Sequence, residues 1–379
     1  FRFGDSELGH LKEMGIVSDS ALDWLSGYKF SGSVHAYREG ELFFPYSPIL
    51  TVEASLGDAL IVETLVLSTL NYDCAVAAAA ARIVQAAQGR PMMEAGARRV
   101  RPEAAVGASR AAYIAGVDVS SNLEAGRRWQ VPTAGTASHA FTLAFPSERD
   151  AFEAQLATLG PDSTYLVDTF DISEGIRAAV EVTEGRLGAI RIDSGDLALE
   201  SKHARQLLDD LGAHHTRIMV SGDLDEYSIG ELADAPIDAY ESGHRLVTGS
   251  GAPSAGLVYK LVAVADTDDS QAPLRSVFKS AEGKASPGGR KDAHRILVDG
   301  TAQEELITVG PHGCVGGEQS GARPLQVQVV HNGSRLAVNS VEEAREHFLR
   351  CLGELPAEFR GGDHPGPAIP TRFVSADEE

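Results

Sequence analysis

Four short apolar runs each end in a cluster of acidic, serine and glycine residues. Tyr165-Leu166-Val167 leads into Asp168-Thr-Phe-Asp171, and Ala189-Ile190-Arg191-Ile192 leads into Asp193-Ser-Gly-Asp196. Arg217-Ile218-Met219-Val220 leads into Ser221-Gly222-Asp223-Leu-Asp225, and Ile237-Asp238-Ala239-Tyr240 leads into Glu241-Ser-Gly243-His244. Carboxylates so placed suit the hydroxyls of a sugar or a magnesium ion, because both take oxygen ligands. Each cluster taken singly reads first as a helix cap, with Asp or Ser accepting from free N–H groups. Capping does not require all four on one face, so the set points to a site.

Other residues carry chemistry with less definition. His139, in Gly135-Thr136-Ala-Ser138-His139, reads first as a hydrogen-bonded structural histidine, and no second histidine stands at zinc-ligand spacing. Arg191 interrupts an apolar strand just before Asp193. It could neutralise a neighbouring carboxylate or aim its fork at a ligand carboxylate or phosphate. Arg98, Arg99 and Arg101 cluster after Glu94-Ala-Gly96, with Arg110 nine residues on, and Gly249-Ser-Gly251 could cradle a phosphate.

The elements that must position these residues follow from periodicity. Spacings of roughly 20–30 residues between strand ends fit βα units, and several in succession imply parallel strands. Polar clusters at the C-terminal ends of consecutive strands favour an α/β barrel over a doubly wound sheet. Before them, Val34–Tyr37 and Glu41–Phe44 read as a hairpin across Arg-Glu-Gly, and residues from Leu56 onward read as two helices, the second over Ala75–Ala87. After Lys260, Gln326–Val330 alternates like a strand, and Glu342–Leu352 reads as a helix. The stretch from Gly361 to Glu379 reads as a packed tail that runs into disorder.

Composition limits the partners. The 379 residues carry 54 acidic and 33 basic side chains, a formal charge of −21, which argues against nucleic acid or an anionic membrane as a ligand. The apolar stretch Leu56–Ala87 is broken by Asp58, Glu63, Asp73 and Arg82, so no membrane span is expected. Three scattered cysteines, Cys74, Cys314 and Cys351, fit a reducing, cytoplasmic compartment. The first residue is Phe1, with no methionine or signal-like region, from which a leading segment before it is expected.

In eight stretches the chain resembles the nicotinate phosphoribosyltransferases, in the family's order. They are Glu94-Ala-Gly-Ala-Arg98-Arg99, Ala108-Ser-Arg-Ala-Ala-Tyr-Ile, Val119-Ser-Ser121-Asn122, Gly135-Thr-Ala-Ser-His139, Leu166-Val-Asp168-Thr, Ile190-Arg191-Ile-Asp193-Ser-Gly-Asp-Leu, Ser221-Gly-Asp223-Leu-Asp-Glu and Gly256-Leu-Val-Tyr-Lys-Leu-Val. Pro287-Gly-Gly-Arg-Lys291 also looks like a family loop, with an extra glycine.

The resemblance implies that nicotinate and phosphoribosyl pyrophosphate are joined to give nicotinate mononucleotide and pyrophosphate in NAD salvage. ATP hydrolysis would be coupled through a phosphorylated histidine, with magnesium as cofactor. His139 matches that histidine, and Asp168 the residue that orients it. Asp193, Gly222 and Asp223 match positions around ribose and base, Arg191 the grip on the substrate carboxylate, and Arg98 the phosphate end. Thr136, Gly243 and His244 fall in matching substrate loops, and Arg99 and Arg245 would add positive charge. Ser121 stands where relatives that use nicotinamide carry an aspartate, which suits an acid substrate.

Two departures are visible. Glu241 replaces a glycine where a phosphate would approach, and Ala140 replaces a serine. The family's leading segment, with its ring-stacking tyrosine, is expected before Phe1. The expected architecture is an irregular α/β barrel over residues 71–261. A smaller α/β sandwich domain is expected from residues 1–70 and 262–379, and the active sites at a homodimer interface. The alternatives are a phosphoribosyltransferase for another base, or a nucleotide-binding paralogue without turnover.

Overall fold

The computed structural model describes residues 2–267, 269, 272–279, 287–310, 321–337, 339–360 and 366–375. The chain divides into two units. One comprises Phe1–Leu67, Val258–Asn339 and Ile369–Glu379, and the other Ser68–Leu257 and Ser340–Ala368. Helix Val341–Glu354 thus belongs with the second unit, whereas the whole C-terminal segment was expected in the smaller domain.

The second unit contains the repeated units read from the sequence. Its six strands are all parallel, in the order Val119–Ser120, Met92–Glu94, Ala239–Ser242, Arg217–Gly222, Ala189–Ile192 and Thr164–Leu166. Helices follow the strands and cover the sheet, which forms a half-barrel rather than a ring closed by strand pairing among the described residues. The strand Ala189–Ile192 is buried throughout, so its lone arginine must find a partner inside.

One helix of 31 residues, Leu56–Ala86, replaces the two expected. By length and composition it would suffice to cross a membrane, contrary to the expectation from its charges. Its C-terminal half nevertheless buries Val76, Ala79, Ala80 and Ile83 within the second unit, on the spacing of one helical face. Its N-terminal half differs, with Leu56, Leu60 and Leu65 exposed, and only 11% of its most apolar stretch is buried.

The first unit is mixed α/β, with helices Asp5–Met14 and Asp19–Ser26 and two four-stranded sheets. Ser33–Tyr37 pairs with Leu50–Glu53 and with Gln326–His331, not with Glu41–Phe44, which forms no strand. Thr371–Ser375 lies parallel to Thr301–Gly310, so this part of the expected tail is a sheet strand. Residues 361–365 and 376–379, also read as tail, lie outside the described residues, as does Cys314. Strands Arg290–Val298 and Thr301–Gly310 join through Asp299-Gly300, both at positive φ, 50° and 77°. That conformation matches the right-handed twist of the flanking strands, and glycine adopts it without strain.

A charged pair sits in the first unit's interior. Arg295 and Glu305 are both fully buried, with Nη2 3.0 Å from Oε2. Tyr37 donates to the other carboxylate oxygen at 2.7 Å, Arg295 donates to Leu42 O at 2.7 Å, and the Phe44 ring faces the guanidinium at 4.8 Å. Burial raises the Glu305 carboxyl above its ordinary range, and Tyr37 and Arg295 oppose that rise. Removing one partner leaves a buried charge uncompensated, so Arg295→Met should cost about 3–5 kcal/mol in denaturant unfolding. The double variant Arg295→Met/Glu305→Leu should lose clearly less than the single one.

Candidate functional site

Strand register brings the functional residues level with one another. Leu166 pairs with Arg191 and Arg191 with Met219, so Asp168 and Asp193, two residues further on, come level with Ser221. Ser221 pairs in turn with Glu241. Side chains alternate along a strand, so Arg191, Asp193, Ser221 and Glu241 share one face.

Three of the four acidic clusters divide their work. The later carboxylate caps the helix that follows. Asp171 accepts from Glu174 N at 3.0 Å, Asp196 from Ala198 N and Leu199 N at 3.1 Å, and Asp225 from Tyr227 N and Ser228 N at 3.2 and 2.9 Å. The earlier carboxylate is left for the strand ends. Asp168 Oδ2 accepts from Asp193 N at 2.9 Å and from the Ser194 hydroxyl at 2.6 Å. Its Oδ1 is buried without a hydrogen bond and lies 3.9 Å from His139 Nε2.

His139 begins the short helix His139–Leu143 after the Ser138 cap. Its Nε2 faces two carboxylates, with Asp193 Oδ2 at 3.6 Å, and its Nδ1 lies 3.2 Å from Thr169 Oγ1. Ser221 donates to the other oxygen of Asp193 through a short contact. Thr169, Ser194 and Ser221 were not singled out from sequence, although all three lie inside the acidic clusters.

Arg191 is 8% exposed and pairs through Nη1 with both oxygens of Glu241, at 3.2 and 3.0 Å. Glu241 therefore does not present a free negative charge, as the sequence suggested, but spends it on a buried arginine. Gly222, at φ 140°, leaves open space, and a side chain there would first meet Asp193 O at 3.9 Å. Asp223 is exposed, with His244 Nδ1 3.7 Å from its Oδ1, and Arg245 Nε lies 3.9 Å from Asp225 Oδ2.

Gly243 packs against a second glycine. A Cβ on Gly243 would meet Ala95 O at 3.2 Å, and one on Gly96 would meet Val247 at 2.2 Å and Gly243 O at 2.8 Å. Close approach of two backbones thus requires both. Beside them Glu94, missed by sequence reasoning, is 1% exposed and accepts from Ser109, Ser120 and Gly96 N at 2.8, 2.6 and 2.5 Å. It ties two strands, a helix and a turn together.

Other residues named from the sequence lie elsewhere on this unit. Ser121 lines a cavity of about 360 Å³ with Ala97, Pro102 and Asn122, and His139 is not among its lining residues. Arg98 and Arg99 are exposed on the loop after Met92–Glu94, and Thr136 is half-buried just before His139. Gly249-Ser250-Gly251 is a tight turn, with Ser250 donating to Glu226 at 2.5 Å.

Glu148, another residue that sequence reasoning passed over, starts the helix Glu148–Leu159. Its Oε1 is buried without a hydrogen bond, and a Cβ on Gly175 would lie 3.2 Å from its Oε2. Burial first, then the charges of Asp168 and Asp171, push its carboxyl up to about 7.

Known proteins resemble this chain in sequence and in fold. Residues 1–71 match the nicotinate phosphoribosyltransferase N-terminal domain, and residues 76–250 match the quinolinate phosphoribosyl transferase C-terminal domain. A nicotinate phosphoribosyltransferase of Mycobacterium tuberculosis is 48% identical over 378 residues, covering 95% of this chain and 80% of its own. One from Bacillus subtilis is 37% identical over 306 residues, covering 78% and 62%. The fold matches human nicotinic acid phosphoribosyltransferase with a TM-score of 0.77 at 21% identity, over 100% of this chain and 87% of that one. It matches a nicotinate-nucleotide pyrophosphorylase of Pyrococcus furiosus with a TM-score of 0.72 at 23% identity, over 92% and 93%. Fold, parallel strand ends and sequence identity agree: the chain belongs to the nicotinate phosphoribosyltransferase family.

Proposed function

We propose that the protein joins nicotinate to phosphoribosyl pyrophosphate, releasing pyrophosphate and forming nicotinate mononucleotide for NAD salvage, with ATP hydrolysis coupled through His139. The observation that carries the ATP step is the asymmetry of the imidazole. Carboxylates face Nε2, which favours the tautomer protonated there and leaves the Nδ1 lone pair to accept from Thr169 until it takes the γ-phosphoryl group of ATP. ADP leaves as the N–P bond forms. Thr169, 3.2 Å from Nδ1, would donate to the transferred group once its hydroxyl turns. Asp168, held by Asp193 N and Ser194, keeps the ring oriented.

The base needs no proton removed, because the pyridine nitrogen attacks C1′ with its own lone pair. Catalysis is then chiefly positioning and charge stabilisation around a transition state of oxocarbenium character. Asp193 and Asp223 stand beside the open backbone of Gly222, where a ribose fits. Arg191 would hold the nicotinate carboxylate, Ser121 would admit it without repulsion, and Thr136, Gly243 and His244 would border the phosphates with Arg98.

Magnesium fits the donor set. Asp193 and Asp223 offer partly exposed carboxylates on neighbouring strand ends, and this ion commonly binds through one or two carboxylates plus substrate phosphates. When bound it would neutralise the pyrophosphate leaving group. Leu56, Leu60 and Leu65 leave apolar surface exposed on the long helix, which supports a homodimer, and a cytoplasmic site of action fits the substrates.

Incubation with labelled ATP, phosphoribosyl pyrophosphate, magnesium and nicotinate tests the reading, with phosphohistidine and mononucleotide measured together. ATP should tighten phosphoribosyl pyrophosphate binding by about 5–150-fold, a usual range for coupled sites. His139→Ala should abolish that gain and the phosphohistidine signal. Mononucleotide formed without any phosphohistidine would sink the ATP coupling, and its absence with every pyridine carboxylate would favour the non-catalytic alternative.

Glu148 adds a pH dependence. Its folded carboxyl titrates near 7 against an ordinary 4.5, so the folded chain holds a proton that the unfolded chain has released between those values. This contribution is full below about pH 4.5 and is lost as pH rises through about 7. Denaturant unfolding from pH 5 to 8 should show stability of the wild type falling relative to Glu148→Gln.

A further inference from the structure

We propose that Glu241 is a positioning residue that fixes Arg191 so that one edge of its guanidinium is presented to a planar carboxylate. The inference rests on the reading of Arg191 as the residue that holds the substrate's acid group. Glu241 places both oxygens on a single nitrogen, Nη1, at 3.2 and 3.0 Å. Nη2 has only a long contact, 3.3 Å to Ala137 O. Nε is buried and makes no hydrogen bond among the described residues.

Nε and Nη2 share one edge of the guanidinium, and that edge matches a carboxylate with two parallel N–H···O bonds. The free protein thus holds a half-used fork in a side chain that is 90% buried. A buried donor without an acceptor is costly, so an acceptor arriving at this edge is favoured. Glu241 cannot supply it, since its two oxygens are already engaged on the opposite side of the group.

The pairing also sets what kind of ligand the edge selects. Glu241 cancels most of the arginine's charge, so attraction of anions in general is weak. Discrimination then rests on direction. A carboxylate accepts from both Nε and Nη2, whereas a carboxamide accepts from one and turns its own NH2 towards the other donor. Glu241 thereby makes the subsite select a carboxylate over a carboxamide by hydrogen-bond geometry, not by net charge.

Steady-state kinetics of the full chain test this, with nicotinate and phosphoribosyl pyrophosphate varied separately and nicotinamide as competitor. Glu241→Ala should raise the nicotinate KM by about tenfold or more and narrow the preference for nicotinate over nicotinamide, with the phosphoribosyl pyrophosphate KM little changed. Glu241→Gln, whose amide oxygen still accepts from Nη1, should recover most of the loss. An unchanged or lower nicotinate KM in Glu241→Ala would overturn the proposal, since Glu241 would then be a competitor for the arginine.

If Glu241→Ala fails to bind phosphoribosyl pyrophosphate or to fold, Glu241→Asp reads the same point, because it withdraws the acceptor by one methylene. A raised nicotinate KM supports the proposal and an unchanged one overturns it. Arg191→Lys separates the two levels. If it leaves the nicotinate KM unchanged, Arg191 does not hold the carboxylate and both readings fall. If it raises that KM while Glu241→Ala does not, only the role of Glu241 falls.

Discussion

The parallel register of four strands governs the second unit. Leu166 against Arg191, Arg191 against Met219 and Ser221 against Glu241 fix which side chains stand level at the sheet's C-terminal edge. A slip of one residue in any strand would turn its functional side chain to the opposite face, because side chains alternate. Asp168 reinforces that register directly, since its Oδ2 accepts from the backbone N–H of Asp193 on the next strand. Glu94 has the same effect at the other end of the sheet, gathering Ser109, Ser120 and Gly96. The groups that could act on a substrate are therefore also the groups that hold the strand ends together.

This overlap explains why three of the four strand ends carry two acids, the exception being Glu241-Ser242-Gly243-His244. A strand feeding a helix leaves free N–H groups at the helix start, and Asp171, Asp196 and Asp225 satisfy them. With the cap supplied by the later acid, Asp168, Asp193 and Asp223 are not consumed by local structure. The choice between cap and site does not arise at the level of the cluster. It is settled residue by residue, through the two or three positions that separate the acids.

The alternation of strand and helix was legible because each βα unit is local, and so was the placement of Asp168, Arg191 and Asp193 at neighbouring strand ends. What stayed hidden depends on contacts distant in sequence. Ser33–Tyr37 looked like half of a local hairpin, yet its partners include Gln326–His331, nearly three hundred residues away. Leu42 instead gives its carbonyl to Arg295, and Phe43 packs against the cluster of Tyr37, Ala293, Ile307 and Leu325. Thr371–Ser375 read as tail because its neighbours are rich in proline and acid, and only the strand Thr301–Gly310 makes it a sheet strand. Glu148 gave no signal at all, since an acid at a helix start is the commonest of features. Its raised carboxyl follows from burial beside Asp168, which no local pattern records.

Charge balance at the strand ends follows from the same geometry. The chain carries a formal charge of −21, and several basic side chains near the candidate site have an acid at hand. Arg191 has Glu241, His244 has Asp223, Arg245 has Asp225, and His139 has Asp168 and Asp193. An anionic ligand entering such a site meets basic groups that are already engaged, so it must exchange partners with an acid or use donors left over. The distances separate these cases. His244 and Arg245 stand 3.7 and 3.9 Å from their acids and are exposed, so a phosphate could displace those contacts at small cost. Arg191 is buried at 3.0 Å from Glu241, where breaking the pair would strand two charges, so a ligand does better to use the edge of Nε and Nη2, where only Ala137 O is engaged. The acids that make the whole chain so negative therefore do not simply oppose anionic substrates; they hold a few basic groups in fixed orientations, and burial decides which of those groups is exchanged and which is kept.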